Sequence, residues 1–132
     1  MADTTKKDGD SREDLTRLYF LYITHPTPET LDAFFQACFV NLRKTINYYV
    51  HEKRIYPSFL APSTFAEDAF SLAVVKFWGG VHKVRNPEQI KAWLDTVGHS
   101  AVVEELLSWI RRSKKGPIRW EPFEPEAEDD AA

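Results

Sequence analysis

TFAEDAFSLAVVKFW, residues 64–78, is too apolar for a helix with a single core face. Thr64 followed by Glu67 is a capping-box pattern and predicts a helix beginning there. Ala66, Phe70, Ala73, Val74 and Phe77 then line one face at 3.6-residue spacing. Leu72, Val75 and Trp78 fall on the opposite arc, among Glu67, Asp68 and Ser71. One stripe serves the core. The second needs a cover, either residues 55–65 of the same chain or another molecule.

Three more helices flank this one. The first is expected over about Ser11–Thr24, with Leu15, Leu18, Tyr19 and Tyr22 on one side. The second starts at Thr27-Pro28, a capping residue followed by proline at the first helical position. It carries Leu31, Phe34, Phe35, Cys38, Leu42, Ile46 and Tyr49 and ends near Arg54, before the prolines of RIYPSFLAPS. Gly79-Gly80 reads as the stop of the third helix, with glycine taking a left-handed end conformation. Asn86-Pro87-Glu88-Gln89 is a second capping box and opens a fourth helix running to about Arg112. No strand pattern is visible. The expected fold is all-α, a four-helix domain over residues 11–115 with a disordered N-terminus (1–10).

At 132 residues the chain is expected to hold one domain. Its 43% hydrophobic and 14% aromatic content argue for a packed core. The polar N-terminus lacks a signal-peptide core, no apolar run approaches membrane-spanning length, and a single cysteine fits a reducing cytoplasm. Cys38 lies in an apolar stripe and reads as buried filler. Residues 120–132 carry six acids and no base, so 116–132 reads as a disordered acidic linker or tail. RRSKK, residues 111–115, stands just before it. Cations there complement a helix C-terminus, and they also offer the tail something to fold back on. His25, His51, His82 and His99 are scattered without metal-ligand spacing, and no serine sits in a nucleophile elbow. A protein without enzymatic activity, metal or cofactor is expected.

Ala66-Glu67-Asp68, Phe77-Trp78, Ala92-Trp93-Leu94 and Arg111-Arg112, taken in order, resemble region 2 of bacterial RNA polymerase sigma factors, closest to the extracytoplasmic-function (ECF) type of the sigma-70 family. The family pattern runs roughly A-E-D-x-x-Q-E-x-F-x-x-x-W, a loop, then A-W-L-x-x-I-A-x-N-x-x-x-D-x-L-R-R. Asp68 precedes Trp93 by 25 residues, the interval of that group. Ala33-Phe34 and the positions after them resemble region 2.1, and GPIRWEPFEPEAEDD resembles the linker to region 4. The resemblance spans about residues 30–125.

The resemblance implies a sigma factor domain that directs transcription initiation. Its 64–78 helix would dock on the β′ clamp helices of core RNA polymerase through Glu67, Asp68, Ser71, Leu72, Val75 and Trp78. Promoter DNA, the non-template strand of the −10 element, would meet His82, Lys83, Arg85 and Asn86 in the loop. Ser100, Arg111, Arg112, Lys114 and Lys115 would meet it along the fourth helix. Region 4 does not follow, so the resemblance also admits a longer factor, a separate region 4-like subunit or an anti-sigma factor as partner. The expected location is cytoplasmic, with no membrane contact.

The chain departs from the pattern at Ser71, Val74, Ser100, Glu104 and Leu107, where the family has glutamine, phenylalanine, asparagine, aspartate and arginine. Ile90, Trp93, Leu94, Val97 and Ala101 share one helical face. Beyond Gly98-His99 the apolar positions move to Val102, Val103, Leu106, Leu107, Trp109 and Ile110. Such apolar positions favour a second reading, a sigma-like protein–protein adaptor or decoy without promoter readout. The basic loop and RRSKK favour DNA.

Overall fold

Thr27 starts its helix as its chemistry dictates. The Thr30 amide donates to the Thr27 hydroxyl oxygen at 3.1 Å, and the Thr27 amide donates to the Thr30 hydroxyl oxygen at 2.9 Å. Two amides that a helix leaves without partners are thereby satisfied. The computed structural model describes residues 4–115, with side chains over 12–113. The acidic tail, 116–132, lies outside the described residues.

The fold is all-α, with four helices and no strand among the described residues. The helices are α1 (Thr4–Thr24), α2 (Pro28–Asn47), α3 (Pro62–Gly80) and α4 (Ile90–Lys115). No described helix is long and apolar enough to cross a membrane. α1 begins at Thr4, ahead of the expected Ser11. Thr4–Asp10 contains no apolar residue, so no periodic stripe marked that segment as helical.

α2 passes into a π-helical turn, Tyr48–Glu52, and ends at Arg54, whose φ of 58° turns the backbone left-handed. α3 differs from expectation at both ends. Pro62 is its first residue and Ala61 its cap position, so Thr64 sits inside the helix and caps nothing. Proline at Pro62 already suits the first turn, which moves the start ahead of the Thr64–Glu67 motif. At the other end the helix runs through Gly79 and Gly80, and neither has positive φ. What Gly80 provides is space: a Cβ there would lie 2.9 Å from Cζ2 of Trp93. Asn86 caps a short 3₁₀ turn, Pro87–Gln89, by accepting from the Glu88 amide at 3.0 Å, and α4 follows.

Leu15, Tyr19, Phe34, Cys38, Leu42, Ile46, Ile90, Leu94 and Ala101 lie in the core, with Phe65, Ala66, Ala69, Ala73 and Phe77 contributed by α3. Cys38 is fully buried, as its stripe position implied, and burial pushes its thiol pKa upward. Val102 is also fully buried, and Leu106 and Trp109 pack against the core. The far half of α4 therefore covers much of its apolar surface within the chain. Trp109 meets Phe59 of the α2–α3 connection at 5.9 Å between ring centroids.

Candidate functional site

The α3 positions divide by exposure. Asp68, Ser71, Val75 and Trp78 follow at intervals of three and four, share one face and are all exposed. Val75 is 67% exposed and Trp78 48%. Asp68 makes no ion pair or hydrogen bond with any described residue. Trp78 is nonetheless held in place. Its ring stands edge-on to Phe35 at 4.7 Å and to Phe77 at 5.2 Å, an arrangement aromatic quadrupoles favour.

Two residues of the sequence-derived set leave this face. Leu72 is half-buried and packs on the core. Glu67 turns toward α2, where it accepts from Arg43 at 2.8 Å, while the Arg43 guanidinium lies 4.0 Å over the Phe70 ring. Val75 and Trp78 are left exposed, whatever residues 55–65 cover elsewhere on α3. The second stripe is thus narrower than the sequence suggested, and it is open.

The loop between α3 and α4 is fastened from below by α1. The Tyr19 hydroxyl shares its proton between the Val84 carbonyl at 2.6 Å and the Val81 carbonyl at 3.1 Å. Tyr19 is buried and stacks on Phe34 at 4.8 Å, and burial is the main cause of its raised pKa. The phenol therefore remains a donor. On this anchored loop His82, Lys83 and Arg85 are exposed. Asn86 is exposed too, but its side-chain oxygen is committed to the cap. Beside His82 an open cleft of about 440 Å³ is lined by Tyr22, Ile23, Phe35 and Trp78. The cleft joins the loop to the exposed face of α3.

The remaining cations are distant. Arg111 stands 21 residues beyond Ile90, about 30 Å along the axis of α4 at about 1.5 Å per residue. Arg111 and Arg112 are exposed, and Arg112 lies 3.9 Å over the Trp109 ring. Side chains of Lys114 and Lys115 lie outside the described residues. Midway, the Ser100 hydroxyl bonds Glu104 at 3.2 Å, and Glu104 pairs with Lys76 of α3. The Lys76 hydrogen bond, partly opposed by desolvation, holds the Glu104 carboxyl below its usual value. Ser100 and Glu104 thus fasten α4 to α3.

One structural hub escaped the sequence reading. Asp95 accepts from Asn41 at 3.0 Å, Thr45 at 3.3 Å and Lys91 at 2.9 Å, clamping α2 against α4. Asn41 is the one buried polar residue among those described, and its place beside Cys38 and Leu42 on the apolar stripe of α2 was the only signal in the sequence. No group of three His, Cys, Asp or Glu side chains gathers among the described residues. No family model, characterised protein or solved structure matches the chain.

Proposed function

We propose that this domain acts as a sigma factor region 2, binding core RNA polymerase and reading the −10 promoter element in the cytoplasm. The observation that carries the reading is the α3 face, where Val75 and Trp78 stand exposed beside Asp68, which pairs with no described residue. Exposed apolar area supplies affinity to a partner, and a carboxylate at its edge orients a basic counterpart. His82, Lys83 and Arg85 on the Tyr19-anchored loop suit the non-template strand, and the adjoining aromatic cleft suits an unstacked base.

The β′ clamp helices are the partner tested first. Asp68→Arg combined with Val75→Glu changes two exposed side chains, so helicity by circular dichroism should stay unchanged. Affinity for core polymerase should fall by at least about tenfold, the loss expected when a central contact is removed. Undiminished capture by core polymerase would refute the docking face.

The second reading, an adaptor or decoy without promoter readout, draws on Leu107 and Ile110. They are 44% and 40% exposed on the α4 segment where DNA contact calls for polar side chains.

A further inference from the structure

The far end of α4 carries a surface that the fold leaves open. Leu107 and Ile110 lie on one helical face with Arg111. Arg111 is exposed and makes no ion pair, hydrogen bond or ring contact with a described residue. Its neighbour differs: Arg112 is occupied by the Trp109 ring and donates to Ser108 at 3.2 Å. Among the described residues, two apolar side chains and one unpaired cation therefore stand together uncovered.

The sequence immediately following has the complementary chemistry. Gly116-Pro117 disfavours continuation of the helix and favours a turn. Ile118, Trp120 and Phe123 then interleave with Glu121, Glu124 and Glu126, followed by Glu128, Asp129 and Asp130. Distance permits the match. Leu107 lies about 12 Å back from Lys115 along the helix. An extended chain from Gly116 reaches Trp120 within about 17 Å.

We propose that residues 118–130 fold back along α4, seating Trp120 against Leu107 and Ile110 and placing their carboxylates beside Arg111. Because the tether is short, the effective concentration of the tail at this face is high, and a weak contact becomes a populated one. The contact is a weak cover over the basic far end of α4 that a bound strand or partner can displace, and it leaves the loop carrying Lys83 and Arg85 free. It concerns one chain alone and stands or falls independently of promoter reading.

A spin label on Ala127→Cys in the full chain tests it. Cys38 is fully buried, so labelling falls on the tail. The amide resonances of residues 107–112 should broaden selectively, while Val40 on exposed α2 should not. The broadening should persist in excess unlabelled chain and be lost in the labelled Trp120→Ala variant. Absence of selective broadening would overturn the proposal and leave the face to an external partner. Broadening that disappears on dilution with unlabelled chain would also overturn it, assigning the contact to a second copy. Broadening retained without Trp120 would remove the anchor on which the proposal rests.

Discussion

Gly98 has no room for a methyl group. A Cβ there would fall 2.8 Å from Cγ2 of Thr45 and 3.1 Å from its Cβ. Thr45 cannot swing away cheaply, because β-branching stiffens it and its hydroxyl is held by Asp95. Alanine is worth about 1 kcal/mol over glycine in a helix, whereas overpacking costs about 1–3 kcal/mol. Gly98→Ala should therefore destabilise the domain by about 1 kcal/mol in urea denaturation, against the trend of helix propensity. Thr45→Ser removes the clashing methyl and keeps the hydroxyl, so the penalty should shrink markedly in that background. An unchanged penalty would show that the crowding is not at Thr45. From the sequence, Gly98 was visible only as the point where the apolar face of α4 changes side. Its reason lies in Leu42 and Thr45, on a different helix, and no local pattern connects them. Buried singletons such as Cys38 were legible because their stripe already fixed their side of the helix.

Among the helices, α2 and α3 show what local signals can and cannot specify. Thr27-Pro28 was both legible and used, with Thr30 completing the capping box. Thr64–Glu67 was legible and unused. Pro62 begins α3 two residues earlier, and Glu67 bonds Arg43 on α2 instead. The consequence is an uncapped start, with Ala61 in the extended conformation a cap residue needs but without a side-chain acceptor. Ala61→Asp should accept from the Thr64 amide and raise stability by about 1 kcal/mol. Thr64→Ala should change it by less than about 0.5 kcal/mol. Thermal denaturation of the two variants separates the cases, and a large loss from Thr64→Ala with no gain from Ala61→Asp would restore the sequence-derived start. The apolar face of α3 that meets the core was readable from periodicity. The division of its other face was not, because Leu72 and Val75 are equally apolar and only tertiary packing buries one of them.

Across the whole molecule, α4 sets the separation of the proposed DNA contacts. Lys83 and Arg85 precede its start, and Arg111 and Arg112 lie near its end, about 30 Å away at helical rise. The sequence supplied both basic groups and the helix between them. It did not show that Ser100, midway, is turned into the Lys76–Glu104 contact. At about 3.4 Å per nucleotide, a stacked strand needs about nine nucleotides to touch both ends. With core polymerase present, a non-template strand of about twenty nucleotides should feel both groups, and Lys83→Ala with Arg85→Ala should reduce the log–log salt slope by about 1.4. Arg111→Ala with Arg112→Ala should reduce it by a similar amount, and the two reductions should add. A strand of about six nucleotides is too short to bridge. If it carries the −10 sequence it should settle at the loop, respond to the first pair and ignore the second. Equal responses of the short strand to both pairs would mean that the ends do not act as separate contacts. A complete lack of sequence preference in either strand would remove promoter reading and leave the adaptor, with Val75, Trp78, Leu107 and Ile110 as its binding residues.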